Sequence, residues 1–213
     1  MVEVRRKITV NEKMNSHYSQ CTFACSAHKL SQLPADIGIE IAFAGRSNAG
    51  KSSALNAVTQ SKALARVSRT PGRTQLINYF RLSDGKFLVD LPGYGYAKVP
   101  EATRRHWHHT LQAYFEQRSA LQGLMLVMDI RHPLQPLDWQ MIEWCAHAAL
   151  PLHVLLTKSD KLSNNASMLA LQKTKLALEK AGIEASLQTF SSQTKHGVED
   201  AHSILDEWFG FEK

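Results

Sequence analysis

The sequence predicts a single α/β domain, with three α/β/α layers around a mainly parallel sheet of about six strands and one antiparallel pair. Two observations carry this prediction. From residue 38 onward, short apolar runs typical of buried strands alternate with segments of helical periodicity. A glycine-containing loop also separates the first of these strands from the first helix. In such folds the ligand site lies at the carboxyl ends of the strands.

The first predicted strand, 39–44, and the first predicted helix, 52–58, flank the pattern G-x-x-x-x-G-K-S. This loop turns backbone N–H groups toward a polyphosphate, and the helix that follows directs its positive dipole end at the anion. The two glycines permit backbone conformations that a Cβ would forbid. Lys51 reaches the outer phosphates, and the Ser52 hydroxyl is offered to Mg²⁺. The predicted nucleotide-binding residues here are Gly45, Arg46, Ser47, Asn48, Ala49, Gly50, Lys51, Ser52 and Ser53.

The later elements follow in the order β-β-α-β-α-β-α-β-α. A hairpin turn centred on Asp84-Gly85 joins strands at 76–82 and 87–91. The remaining predicted strands are 123–129, 152–156 and 185–190. The remaining predicted helices are about 104–118, 136–148, 163–181 and 198–209. The polar segments 61–75 and 92–103 are predicted loops.

Length and composition exclude several classes of protein. The 213 residues are 44% hydrophobic and 21% charged, as in a globular domain, and the three cysteines show no zinc-site spacing. No apolar run reaches the roughly 18–20 residues of a membrane span, and the N-terminus lacks a signal-peptide core. We therefore expect a cytoplasmic protein with no membrane span. The absence of coiled-coil heptads favours a monomer.

Residues 1–20 show little periodicity and are predicted to form a flexible extension, with one domain over 21–213. Residues 21–34 are expected at the domain edge as a short strand or turn. The net charge of +6 is unevenly placed, because 62–118 carry +6 and 191–213 carry −3. Such a basic surface suits an RNA or ribosome partner, although a generic solvated surface is the alternative.

Asp90-Leu91-Pro92-Gly93 ends a predicted strand and has the pattern D-x-x-G. An aspartate at this place can hold Mg²⁺ through a water molecule. The Gly93 N–H can contact a γ-phosphate, which makes this loop a sensor of that phosphate. The pattern is common, however, and a turn or capping role for Asp90 is the alternative.

Thr157-Lys158-Ser159-Asp160 also ends a strand and resembles N-K-x-D, the guanine-reading motif. Asp160 can accept hydrogen bonds from guanine N1–H and the 2-amino group, whereas adenine has neither donor. The stem of Lys158 can cover the base. Ser191 and Ser192 follow the last strand, where a backbone N–H can bind the guanine 6-oxo group. Taken alone, Asp160 could instead cap a helix.

Together these loops resemble those of translation-factor-like P-loop GTPases over 38–209. Within that class, segments 45–53, 70–75, 90–96 and 157–161 resemble the EngB (YihA/YsxC) GTP-binding proteins of bacteria. The resemblance implies a Mg²⁺-dependent GTPase switch that converts GTP to GDP and phosphate. It also implies a role in large ribosomal subunit assembly, cell division and septation. The implied partners are the large ribosomal subunit or its precursor and ribosomal RNA.

The resemblance assigns further residues to the site. Gly72-Arg73-Thr74 matches the family's switch I, so Thr74 would bind Mg²⁺ directly, as Ser52 does, and its N–H would contact the γ-phosphate. Thr70 is a competing candidate by sequence alone. Asp90 would hold Mg²⁺ through water, and Gly93 would anchor switch II.

Two positions depart from the Ras-like pattern. Thr157 stands where asparagine is commoner, but its hydroxyl can still bond to the phosphate loop. Tyr94 follows Gly93, where Ras-like enzymes carry the water-orienting glutamine, so no catalytic residue is assigned and slow, partner-stimulated hydrolysis is expected. Asn48 matches a position that helps to hold K⁺ in some related GTPases.

Two alternatives remain open at this point. The protein could be a guanine-nucleotide-dependent RNA or ribosome scaffold whose hydrolysis is incidental, or an adenylate-using P-loop enzyme or kinase. The basic and aromatic segment 104–109 could contact ribosomal RNA. It could equally form the exposed start of a helix, with Trp107 packed inward.

Overall fold

The computed structural model describes residues 17–65, 76–95 and 101–211, except for the side chains of 102–104. Its strands are β1 (Thr22–Ala27), β2 (Ile39–Gly45), β3 (Ile77–Ser83), β4 (Lys86–Asp90), β5 (Leu121–Asp129), β6 (Leu152–Thr157) and β7 (Ser186–Thr189). The α-helices with described bounds are α1 (Lys51–Val58), α2 (Glu101–Gln117), α3 (Pro136–His147), α4 (Asn164–Lys180) and α5 (Val198–Phe209).

The strands form one sheet in the order β1-β3-β4-β2-β5-β6-β7. Strands β4, β2, β5, β6 and β7 pair in parallel, and β3 pairs antiparallel with β4 as predicted. The α/β fold class is therefore confirmed. The sheet has one strand more than the six predicted, because β1 pairs antiparallel with β3 at the edge.

Strand β1 gives a weak sequence signal because little of it is buried. Of its six residues, only Ala27 is buried, so there is no apolar alternation to distinguish a strand from a turn. Its place comes from pairing with β3, from Thr22 opposite Arg81 to Ala27 opposite Ile77. Backbone hydrogen bonds rather than side-chain burial therefore decide this element.

Two apolar layers cover the sheet. On one face, helices α1 and α5 pack their apolar side chains on the strands, with Phe43, Leu55 and Leu205 fully buried. On the other face, α2, α3 and α4 pack on the same strands, around Tyr114 and Leu126. This three-layer packing places the loops at the carboxyl ends of β2, β4, β5 and β6 along one edge of the sheet.

The N-terminal boundary differs from the predicted one. Residues 1–16 lie outside the described residues, but residues 17–20, which we assigned to the flexible extension, pack on the domain. Tyr18 is fully buried, its hydroxyl donates to Asp206 Oδ1 at 2.5 Å, and its ring stacks on His202 at 4.4 Å. The prediction was wrong for these residues because one buried tyrosine, with no periodic pattern around it, fixes the segment.

The His153 side chain links the paired strands β6 and β7. Its ring is buried, with Nδ1 2.7 Å from Ser186 Oγ and Nε2 3.0 Å from Gln188 Oε1. Burial lowers the pKa of His153 from 6.5 to about 4, although the Gln188 hydrogen bond opposes the shift. The unfolded chain therefore binds more protons than the folded one between pH 6.5 and 4.

This contribution to stability is fully present above pH 6.5 and is lost as the pH falls toward 4. We expect the free energy of unfolding to drop by up to about 1.4 kcal/mol per pH unit in this window on account of His153. Urea unfolding at several pH values measures the slope. His153→Gln should flatten it, whereas His28→Gln, at an exposed position, should not. Equal slopes in wild type and His153→Gln would contradict the assignment.

Candidate nucleotide site

The phosphate loop joins the end of β2 to the start of α1, as predicted. Gly50 precedes the helix with φ of 102°, a conformation that favours glycine. Gly45 is required for a different reason, because an added Cβ would lie 2.6 Å from the Val127 carbonyl oxygen. The first glycine therefore permits close packing on β5, and the second permits the turn into α1.

Lys51 and Asp90 form a nearly buried ion pair between the phosphate loop and the D-x-x-G loop. This contact excludes the alternative that Asp90 only caps a turn. It brings a cation for phosphate and a carboxylate for a metal ion to the same place. Binding a nucleotide with a metal ion would exchange this pair for phosphate and metal contacts.

The residues at this place fit a magnesium ion. Asp90 supplies a carboxylate, and Ser52, which follows Lys51 in the chain, supplies a hydroxyl; oxygen donors are the ligands that Mg²⁺ prefers. Within 17–65, 76–95 and 101–211, no group of three or more His, Cys, Asp or Glu side chains is placed to hold a metal by itself. A site of this kind takes its other oxygen ligands from nucleotide phosphates and water.

The loop after Asp90 pairs with the phosphate loop through its backbone. Residues Arg46 and Tyr94 form an isolated parallel β-bridge. In it, the Ser47 N–H donates to the Tyr94 carbonyl at 2.8 Å, and the Tyr94 N–H donates to the Gly45 carbonyl at 3.4 Å. An added Cβ at Gly93 would lie 3.3 Å from Ser47 Oγ, so the D-x-x-G glycine sits beside the phosphate loop.

Asp160 and Ser191 meet at the ends of β6 and β7. The Ser191 hydroxyl donates to Asp160 Oδ1 at 2.8 Å, and this hydrogen bond, with the nearby Lys161, lowers the pKa of the carboxyl group. Asp160 lies in the short 3-10 turn Ser159–Lys161, whereas Ser163 caps helix α4 by accepting from the Ala166 N–H. The alternative role of Asp160 as the cap of that helix is therefore wrong.

The segment before Asp160 is tied to the phosphate loop. Lys158 Nζ donates to the Asn48 carbonyl at 2.6 Å, and the Thr157 hydroxyl lies within hydrogen-bond distance of the Ala49 carbonyl. The expected contact between Thr157 and the loop is confirmed. These contacts fix the spacing between the predicted base and phosphate subsites.

Asp129, at the end of β5, holds Lys158 from the other side, with Oδ2 2.9 Å from Nζ. Burial would raise the pKa of Asp129, but hydrogen bonds from Arg131 and Lys158 outweigh it and hold that pKa well below its usual value. A groove of about 830 Å³ lies between α1 and the start of α5, lined among others by Asn56, Gln60 and Asp200. Ser53 and Ser192 belong to its lining, but Lys51, Asp90 and Asp160 do not.

Asp138, in the first turn of α3, is fully buried and reaches both loops. Its Oδ1 accepts from the Tyr94 hydroxyl at 2.9 Å, and its Oδ2 accepts from the Gln135 N–H at 2.9 Å. Arg46 Nε lies 3.4 Å from the same Oδ2. Burial raises the pKa of Asp138 despite these three partners, and burial and Asp138 together raise the pKa of Tyr94.

Comparisons with known proteins agree with this geometry. A family model described as "50S ribosome-binding GTPase" matches residues 40–158, more than half of the chain. A probable GTP-binding protein EngB of Nitrosococcus oceani is 56% identical over 197 residues, covering 92% of this chain and 98% of that protein. The chain belongs to the EngB family of GTP-binding proteins. A probable EngB of Escherichia coli is 54% identical over 195 residues, covering 92% and 93%.

Solved structures share the fold of this EngB-family chain. The structure of a probable GTP-binding protein engB aligns with TM-score 0.65 at 19% identity, over 81% of this chain and 100% of that one. A variant of Aquifex aeolicus Era bound to GDP·AlF4⁻ aligns with TM-score 0.64 at 15% identity, over 83% and 58%. These similarities confirm the predicted P-loop GTPase fold.

The EngB-family site contains residues that sequence reasoning missed. Asp129 could have been found by the rule that found Asp90 and Asp160, because it is an acidic residue at the carboxyl end of a parallel strand. Asp138 gave no such signal, since it resembles an ordinary acidic residue in a first helical turn. The predicted switch I residues Gly72, Arg73 and Thr74, and the competitor Thr70, lie outside the described residues.

Proposed function

We propose that this EngB-family protein is a Mg²⁺-dependent GTPase switch that acts on the large ribosomal subunit or its precursor, with a link to cell division and septation. The observation that carries the choice of guanine is Asp160. Its carboxylate is held by Ser191, and Lys158, two residues earlier in the chain, has its ammonium group bonded to the phosphate loop. One nucleotide can therefore contact the base-reading carboxylate and the phosphate loop together.

In this proposal the chain's own residues bind and orient the nucleotide for attack of water on the γ-phosphate, which yields GDP and phosphate. Lys51 leaves Asp90 and contacts the β- and γ-phosphates. Ser52 and Thr74 would hold the metal ion directly, and Asp90 would hold it through water. When bound, Mg²⁺ neutralises charge that develops on the phosphate oxygens.

Hydrolysis by the protein alone is expected to be slow. The Tyr94 side chain stands at the position of the water-orienting glutamine, yet its hydroxyl is bonded to buried Asp138. A phenol held in this way cannot act as the carboxamide does. A group from a partner would then aim the water, and K⁺ held at Asn48 is a second proposed aid.

Charge and exposure support a ribosomal RNA partner. Helix α2, the first helix after the D-x-x-G loop in the chain, exposes Arg105, His106 and His109, while Trp107 is half buried against the core. Basic side chains beside a nucleotide switch can contact RNA phosphates in one nucleotide state and release them in the other. We propose a cytoplasmic monomer. No helix among 17–65, 76–95 and 101–211 has the length and apolar character to cross a bilayer.

Single-turnover GTP hydrolysis, with and without large ribosomal subunits and in KCl or NaCl, tests this function. We expect slow turnover alone and stimulation by subunits of about tenfold or more. Cosedimentation should show stronger binding to subunits with a non-hydrolysable GTP analogue than with GDP. Lys51→Ala is the control, and it should lose both the stimulation of hydrolysis by subunits and the nucleotide-dependent difference in cosedimentation.

The outcomes separate the alternatives. No stimulation by subunits would favour a scaffold with incidental hydrolysis, and equal cosedimentation in both nucleotide states would contradict the switch. ATP that competes as well as GTP would exclude the guanine assignment and favour an adenylate-using enzyme. Equal turnover in KCl and NaCl would exclude the role of K⁺.

A further inference from the structure

Three parts of the site converge on one buried carboxylate. Asp138 belongs to α3, but its partners come from the phosphate loop through Arg46 and from the loop after D-x-x-G through Tyr94. The side chain of Asp138 is 0% exposed, whereas that of Arg46 is 28% exposed. A carboxylate buried in this way must be satisfied, so its contacts resist breakage.

The segment 91–95 is held on both sides of Gly93. Before it, the Leu91 N–H donates to the Phe43 carbonyl at 3.0 Å. After it, Tyr94 forms the backbone bridge to the phosphate loop and the side-chain bond to Asp138. Beyond Tyr94, an added Cβ at Gly95 would lie 3.3 Å from Leu137 Cδ1, so the segment also packs on α3.

The backbone N–H of Gly93 differs from those of its neighbours. None of the described residues accepts a hydrogen bond from it, although Leu91 and Tyr94 both donate theirs to β2. The glycine itself lies against Ser47, in the loop that holds phosphates. A donor without a described acceptor is therefore fixed beside the phosphate loop.

We propose that Asp138 is a positioning residue for the terminal phosphate: through Tyr94 and Arg46 it holds Gly93 at the phosphate loop, so that a nucleoside triphosphate gains a contact that the diphosphate lacks. This role deepens the proposed function and rests on it. The Tyr94 hydroxyl takes no part in proton transfer here, and it serves to attach the D-x-x-G loop to α3.

Preorganisation of the Gly93 N–H explains why the contacts of Asp138 would affect the triphosphate more than the diphosphate. A γ-phosphate that meets a fixed N–H gains a charge-assisted hydrogen bond without the cost of ordering the loop. A diphosphate does not reach Gly93 and depends on Lys51, the backbone of the phosphate loop and Asp160. Loss of the Asp138 contacts should therefore penalise the triphosphate selectively.

Dissociation constants for GDP and a non-hydrolysable GTP analogue, measured with Mg²⁺ on the full chain, test the proposal. In Tyr94→Phe, which removes one hydroxyl and keeps the ring, we expect the analogue to bind about tenfold more weakly and GDP within about twofold of wild type. Asp138→Asn should show the same selectivity. The double variant should be no more selective than either single variant.

Asp138→Asn keeps one acceptor oxygen, which cannot serve both the Tyr94 hydroxyl and the Gln135 N–H at the start of α3, so its melting temperature is also expected to fall. Tyr94→Phe leaves that bond intact and is the decisive variant. Glu143→Gln makes the same acid-to-amide change at an exposed position of α3 and should behave as wild type.

An equal loss of affinity for GDP and the analogue, or no loss in Tyr94→Phe, would overturn the positioning role while the proposed function stands. A reduced hydrolysis rate with an unchanged ratio of affinities would likewise overturn it and favour a catalytic hydroxyl. If the wild-type protein bound no guanine nucleotide, the proposed function itself would fail, and the positioning role with it.

Discussion

Replacement of Asp160 by asparagine is expected to weaken GTP binding by about 100-fold and to favour xanthine nucleotides. The asparagine amide would place its own N–H donors against guanine N1–H and the 2-amino group. Leaving such groups without an acceptor costs about 3 kcal/mol, which corresponds to that factor. Xanthine carries a carbonyl oxygen at C2, which can accept from the new amide.

Titration of GDP and the xanthine diphosphate against wild type and Asp160→Asn measures this change. The Ser191 hydroxyl can still donate to the remaining side-chain oxygen, so the local fold should persist. Asp84→Asn, in the exposed hairpin turn, is the matched control and should leave both affinities unchanged. An Asp160→Asn protein that kept the wild-type preference for guanine would show that another group reads the base.

The largest effect on stability is expected at Glu40, at the opposite end of β2 from the site. This side chain is fully buried and accepts from the hydroxyls of Tyr79 and Tyr114, each at 2.9 Å. Arg118 Nη2 donates to Glu40 Oε1 at 2.5 Å, and its Nε is shared between Oε1 at 3.0 Å and Oε2 at 3.1 Å. Five donor contacts from three residues thus converge on one carboxylate.

Glu40→Ala should lower the free energy of unfolding by about 3–5 kcal/mol, because it takes the shared carboxylate from two buried hydroxyls and from a nearly buried guanidinium, which then keeps, among the described residues, only the Ala35 carbonyl and the longer contact to Asp36. Urea unfolding measures the loss. Glu116→Ala, at an exposed position of α2, is the control and should stay close to wild type.

The double variant Glu40→Met with Arg118→Met tests the physical reason. Because it removes both charges, the decrease in its free energy of unfolding should be smaller than the sum of the decreases in the two single variants. A Glu40→Ala protein within 1 kcal/mol of wild type would show that water or another group replaces the carboxylate.

The parts of the site that the sequence revealed are those coded by short, contiguous patterns. The phosphate-binding residues from Gly45 to Ser52 form one contiguous segment of the sequence. Asp90 and Asp160 each come at the end of an apolar segment that is predicted to be a strand. Because parallel strands end at the same edge of a sheet, the sequence also predicted that these groups would meet. The Lys51–Asp90 pair and the Asp160–Ser191 bond confirm that expectation.

The sequence by itself thus determined the fold class, the phosphate loop and the place of the Asp160 carboxylate at the end of β6, since local pattern and strand order suffice for these. Only the tertiary structure decided what Tyr94 contacts. Its partner lies 44 residues away in α3, in a helical turn with no motif, and burial rather than sequence spacing gives that contact its strength. The same holds for β1 and Tyr18, whose places are fixed by distant backbone and core contacts.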